Sequence, residues 1–419
     1  MRHISGTLYL IVLCFFIGCK DNEPEIQKEL LTVVVDSGYK STSWWIMLHD
    51  DSGQLLEYQK LIPGEQSIIS TNKKTEGNIF SATVLKYEIN AAGSKFFTLT
   101  SYTDLSPGHT IFLKLAPSNP LRFVDNAKVN VVVNKVPSPL LYFSPVLSSP
   151  LGGLTSSSNN DDANKQLYIE SKAINASADF LFMTPDPVNL AGNSKYKIIN
   201  NVTSAGGSYT FDYNELSDFD RYVNFTFPAS SSFVLDVTGR KIGAPDNWSF
   251  FFMHREIAFN RYTRTFWKPG YLNGFTDYIT RLQIDYSGYS FLYTQRGSIP
   301  DGNVAWPKVA DFGVGNKTLA TFSSLAHPSL KYRLSRWSYD WVEEKTSTFW
   351  TVFSPSTNHQ FNDFPTELLD LFPSLKLNKL EYSHTSFYLG PKTYDNFLDA
   401  AFGVKEESIF SEVGISLKK

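Results

Sequence analysis

The most constraining feature of this sequence is alternation at period two, repeated through most of its length. In Ser43-Trp44-Trp45-Ile46-Met47-Leu48-His49, Trp44, Ile46 and Leu48 fall on one face of an extended chain, and Trp45, Met47 and His49 on the other. Asp50-Asp51-Ser52-Gly53 then supplies turn chemistry, and Gln54–Tyr58 returns as a second strand. Leu282, Ile284 and Tyr286 alternate with Arg281, Gln283 and Asp285, the pattern of a half-buried strand. Further strands are expected at Leu31–Val35, Asn78–Ile89, Lys95–Tyr102 and Thr110–Leu115, separated by Pro63-Gly64, Ala91-Ala92-Gly93 and Ser106-Pro107-Gly108. Helical patterning competes only near the end, at Pro365–Phe372 and Tyr394–Phe402.

These elements predict a mainly β chain of two or three β-sandwich domains, immunoglobulin-like or transthyretin-like, with short helices near the C-terminus. The expected division is a segment 1–18 ahead of a tether 19–29, a β-sandwich domain 30–118, a second β-rich domain 119–240, and an aromatic-rich β domain 241–419. Leu147–Asp162, with its Ser, Gly, Asn and Asp, reads as a long loop or linker. With 419 residues, 33 Phe, 22 Tyr and 8 Trp, the chain has ample apolar surface for several cores, which excludes a disordered chain. A net charge of −3 with no basic block removes the electrostatic basis for nucleic-acid binding.

The amino terminus carries an address. Arg2 precedes an apolar run, Leu8–Ile17, of about 15 Å as a helix, against a bilayer core of roughly 30 Å. That length suits the h-region of a signal peptide. Phe16-Ile17-Gly18-Cys19 follows, then Lys20-Asp21-Asn22-Glu23. The tetrapeptide resembles the lipobox of bacterial lipoproteins, with Phe in place of the usual Leu. The acidic run after it resembles the export signal of surface lipoproteins of Bacteroidota, many of them uncharacterised. The resemblance implies cleavage before Cys19, lipidation of Cys19, attachment to the membrane through that lipid, and an outer-membrane, surface-exposed location. Cys14 is then lost, so the mature chain holds no pair of cysteines for a disulfide.

Chemical motifs are sparse. The seven histidines, His3, His49, His109, His254, His327, His359 and His384, include no pair at helical ligand spacing and no His-Glu-x-x-His. His49–Gly53 and Asn159–Asp162 offer oxygen donors without the alternation of a calcium loop, and read as turns. No Gly-x-Ser-x-Gly elbow, phosphate loop or dinucleotide fingerprint is present. No cofactor is therefore expected. The remaining candidate is Trp337, Tyr339 and Trp341, which share one face of a strand and form either a core stripe or a platform for stacking on a ligand. The expected role is a lipid-anchored envelope protein that binds or adheres without catalysis, its ligand a carbohydrate or a partner protein. The rivals are a glycan hydrolase in the C-terminal third, needing two spaced carboxylates, and a structural subunit of an outer-membrane assembly.

Overall fold

The computed structural model describes residues 28–39, 42–73, 78–115, 120–138, 145–152, 157–186, 193–243, 251–404 and 410–419; side chains are described for all of these except 157–158, 251–252, 254 and 257–262. The lipobox-like segment and the tether up to residue 27 lie outside the described residues. Among the described residues strand makes up 59% and helix 7%, so the layers are sheets.

The first third contributes β1 (Lys28–Val35), β2 (Ser43–His49), β3 (Leu55–Leu61), β4 (Gln66–Thr71), β5 (Phe80–Ile89), β6 (Lys95–Leu105) and β7 (His109–Leu113). Next come β8 (Phe123–Asn134), β9 (Val146–Ser148), β10 (Ser157–Asp161), β11 (Gln166–Ile174), β12 (Ala178–Thr184), β13 (Lys195–Val202), β14 (Gly207–Asp212), β15 (Ser217–Asp218), β16 (Arg221–Tyr222) and β17 (Phe225–Lys241). Beyond them lie β18 (Phe251–Trp267), β19 (Gly270–Tyr271), β20 (Phe275–Tyr286), β21 (Tyr289–Gly297), β22 (Thr321–Ser323), β23 (Leu330–Trp341), β24 (Thr346–Ser354) and β25 (Asn358–Gln360). Helix α1 (Thr366–Leu371), β26 (Glu381–Leu389), helix α2 (Tyr394–Ala401) and β27 (Phe410–Lys418) complete the chain.

One 12-stranded sheet forms the spine, in the order β18-β17-β20-β21-β27-β26-β23-β24-β6-β5-β2-β3. Both faces of its β2-β5-β6 end are covered. Trp44, Ile46, Leu48, Ala82 and Val84 pack against the small β4-β1-β7 sheet and, through Leu398 and Phe402, against α2. On the opposite face Met47, Leu85, Phe97, Leu99 and Trp350 pack under Phe322, Phe361, Leu368 and Phe372. At the other end of the spine the layers number three. In β12, Phe180 and Phe182 face the β10-β11-β8-β14 sheet, while Leu181 and Met183 face Phe233, Leu235 and Val237 of β17. That double burial explains the unbroken apolar run Phe180-Leu181-Phe182-Met183 within β12.

Two expectations are corrected. The boundaries read at 118/119 and 240/241 do not separate the sheets: β6 pairs in parallel with β24, from Lys95↔Thr346 to Tyr102↔Phe353, and β17 runs through residue 240. Strand pairing is non-local, so loop composition did not reveal it. Leu147–Asp162 is not a continuous loop either. Leu147, Ser148 and Ser149 are fully buried, with Leu147 and Ser148 in β9, and Ser157–Asp161 pairs with Gln166–Glu170. The polar residues there serve the hairpin: Asp161 accepts hydrogen bonds from the Asn164 backbone (3.0 Å) and side chain (2.7 Å).

Candidate functional site

The structure divides the aromatic stripe. Trp337 is 1% exposed; its ring meets Phe322, His359 and Tyr382 edge-on, and its Nε1 donates to the Lys317 carbonyl at 2.8 Å. It is a core residue. Tyr339 and Trp341, at the end of β23, are half-buried, and the Lys376 ammonium sits 5.6 Å from the Trp341 ring. Tyr339 and Trp341 lie beyond the cover that Phe322, His359 and Tyr382 give Trp337, so the three rings do not form one exposed surface. Cys19 lies outside the described residues.

A more developed site occurs at the other end of the spine, where β17 is bulged. Register shifts on either side of Ser230 swing Ser230, Ser231 and Ser232 towards the β20–β21 hairpin. With Thr263, Asp285, Tyr286, Ser287 and Lys418 they line an open cleft of about 630 Å³. Asp285 organises it. Its Oδ1 accepts from Lys418 Nζ at 2.8 Å and from Ser290 Oγ at 2.5 Å, while its carbonyl accepts from Ser230 Oγ at 2.8 Å. Burial works to raise the carboxyl pKa, but hydrogen bonds from Lys418, Ser290 and Gln283 outweigh it and hold the group below the usual range. Asp285 is thus a fixed anion. Beside it Tyr286 stacks on Tyr289 with centroids 4.8 Å apart and planes at 15°, and its hydroxyl donates to the Pro228 carbonyl at 2.6 Å. Sequence reading recognised the alternation around Asp285 but not the cleft, because the bulge in β17 has no signature beyond Ser230-Ser231-Ser232.

A second polar centre is buried near the opposite end. Arg333, fully buried, donates to the Ser356 carbonyl (2.7 Å), Ser335 Oγ (3.1 Å) and His359 Nδ1 (2.9 Å), and its guanidinium lies 4.4 Å from the Phe322 ring centre. Burial pulls its pKa down to about 9, with the Asp104 carboxylate opposing. His359 is pushed well below its ordinary value by burial and by the neighbouring guanidinium. Neither oxygen-rich turn is arranged as an ion loop: Asp50 accepts from Gln54 N (2.9 Å) and Ser52 Oγ (2.7 Å), closing its own turn as Asp161 does. Among the described residues no helix is long and apolar enough to cross a membrane, and no group of three or more His, Cys, Asp or Glu side chains is gathered as for a metal.

No family model matches the chain, and no curated protein does. Among solved structures it is similar to a Ca²⁺-stabilized adhesin that helps an Antarctic bacterium reach out and bind ice, with 9% identity over 93% of this chain and 98% of the adhesin chain. The TM-score is 0.12, so that likeness carries no argument about fold or role.

Proposed function

We propose that this chain is a lipid-anchored binding or adhesion protein of the cell envelope, tethered through Cys19, that holds a glycan in the Ser230–Lys418 cleft. The cleft carries the reading. A row of hydroxyls, a fixed carboxylate–ammonium pair and a tyrosine face offer the donors, acceptors and apolar ring surface that a polyhydroxylated ligand requires. The same geometry favours binding over hydrolysis. Asp285 is the carboxylate lining the cleft, and a general acid needs its pKa raised, whereas this one is lowered.

The test uses the soluble chain from residue 20 against immobilised polysaccharides, with a parallel assay for released reducing ends. Binding that falls about tenfold in Lys418→Met, the loss of one charge-assisted hydrogen bond, supports the cleft. Binding indifferent to that change, or release of sugar from any polysaccharide, overturns the reading. The anchor is tested separately. Cys19→Ser is expected to release the protein from the membrane fraction, and unchanged attachment refutes the tether.

A further inference from the structure

The chain contains one Asn-Gly pair, Asn273-Gly274, at the tip of the turn between β19 and β20. Phe275 N donates to the Leu272 carbonyl at 3.2 Å, closing a four-residue turn around the pair. The flanks of this turn are fixed. Leu272 and Phe275 are buried in one core with Val237, and the Tyr278 hydroxyl donates to the carbonyls of both. The two central residues are exposed. Asn273 N donates to Asp220 Oδ2 at 2.7 Å, and the Gly274 carbonyl accepts from Ile242 N at 3.0 Å. Among the described residues, the Asn273 side-chain amide and the Gly274 N–H meet no hydrogen-bond partner.

Those two free groups can react with each other. Attack of Gly274 N on Asn273 Cγ closes a succinimide ring, and the side-chain NH₂ leaves as ammonia, taking the Gly274 amide proton with it. Water then opens the ring at either carbonyl, giving aspartate or isoaspartate, each with a new carboxylate. Glycine permits the attack because it has no Cβ to crowd the nitrogen, and this N–H has no hydrogen bond to give up. The one Asp-Gly pair, Asp301-Gly302, is held instead. Asp301 Oδ1 accepts from Asn303 N at 2.9 Å, and Gly302 is buried, where a Cβ would lie 2.5 Å from the Asn224 carbonyl oxygen.

We propose that Asn273 is a site of spontaneous deamidation, and that its isoaspartate product unfastens this turn from Asp220 and from the end of β17. Isoaspartate lengthens the main chain by one carbon, about 1.5 Å, between flanks that packing holds in place. The exposed hydrogen bonds at Asp220 and Ile242 give way first. The new carboxylate also stands beside that of Asp220, and like charges repel.

The test incubates the soluble chain from residue 20 in heavy-oxygen water, at neutral and at mildly alkaline pH, and maps its peptides by mass. The peptide holding Asn273 is expected to gain a labelled oxygen, faster at the higher pH because the attacking amide must lose its proton. Gly274→Ala is the diagnostic variant. Gly274 lies outside the left-handed region with nothing within 4 Å of a Cβ position, so the variant keeps the fold. It should lose the labelling, while Asp301 stays unlabelled in both proteins. No labelling at residue 273 overturns the proposal, as does equal labelling in Gly274→Ala or faster labelling at Asp301. Amide exchange on the aged chain reads the second step. The N–H groups of Ile242 and residue 273 should exchange faster than in the fresh chain, with no change in aged Gly274→Ala. Unaltered exchange at both positions of a labelled chain overturns the unfastening.

Discussion

Arg333 Nη2 and His359 Nδ1 are 2.9 Å apart inside the protein, so a cation and a titratable ring share one buried hydrogen bond in which the ring must accept. That bond can persist only while His359 is neutral. His49, fully buried, is held in the same state: its Nε2 donates to the Asp363 carbonyl at 2.8 Å, and desolvation lowers its pKa despite the opposing pull of Asp363 and Asp50. Both histidines flank Phe361 and fasten segment 356–363 to the spine.

Stability is therefore expected to depend on pH in a definite window. Both folded-state values lie below the unfolded value of 6.5, so between the two the unfolded chain binds protons that the folded chain does not. Their contribution is complete above about pH 6.5 and is lost as pH falls toward the folded values, at up to about 1.4 kcal/mol per pH unit for each ring. His384, also lowered by burial and by Arg336 and Lys418, adds in the same direction. Asp285 and Asp179, likewise held low, act only near and below pH 4. Thermal melts between pH 7.5 and about pH 5 check this. His359→Asn keeps an acceptor near Nδ1 and should flatten the slope; an equally steep slope in that variant refutes the assignment.

The aromatic stripe gives a second expectation. Trp337→Ala removes a side chain packed on three rings and should cost about 3–5 kcal/mol. Trp341→Ala, half-exposed under Lys376, should cost far less. Denaturant unfolding of the two variants measures the difference, and equal losses would contradict the division of the stripe.

Much of this fold was legible because side-chain alternation is local. Trp44, Ile46 and Leu48 do enter one core and Met47 the other, and Leu282 and Ile284 are buried beneath exposed Arg281 and Gln283. The helices at Thr366–Leu371 and Tyr394–Ala401 fall within their expected segments. What depended on distant pairing was hidden. Alternation placed Trp337, Tyr339 and Trp341 on one face, but the cover from Phe322, His359 and Tyr382, distant in sequence, decided which ring was buried. Both polar sites share that opacity. Asp285 meets Lys418 across 133 residues, and Arg333 needs the Ser356–His359 segment to fold back over it.

Backbone approach supplies a third expectation. Gly206 has φ +78°, and a Cβ there would lie 2.0 Å from the Lys128 carbonyl oxygen, beside the parallel pairing of β14 with β8. Gly288 has φ +86° with nothing within 4 Å of that position. Gly288→Ala should cost about 1–2 kcal/mol, the left-handed penalty alone. Gly206→Ala should cost clearly more, since backbone must move as well. Chemical denaturation compares them; equal costs would mean that the β8–β14 pair yields freely.

The final expectation concerns the parallel seam between β6 and β24. Residues 30–118 hold enough strands to suggest a free-standing sandwich, yet their cores are completed from the far end of the chain. Tyr394, Leu398 and Phe402 close one face and Trp350, Phe361 and Phe372 the other. The Tyr394 hydroxyl donates to the carbonyls of Thr103 and Phe353, both at 3.0 Å, tying β6 to β24 from above. Phe112 N donates to the Phe402 carbonyl at 2.8 Å. A fragment of residues 28–118 alone exposes both apolar faces and leaves the long strand β6 as an unpaired edge, a template for association. It should therefore aggregate, or lack a cooperative unfolding transition, whereas the chain from residue 28 to 419 unfolds this region together with its distant partners such as Trp350 and Leu398. Tryptophan fluorescence and amide exchange on both proteins measure this. A monomeric fragment with a sharp transition would show that the seam joins two independent units, and would restore the boundary at residue 118.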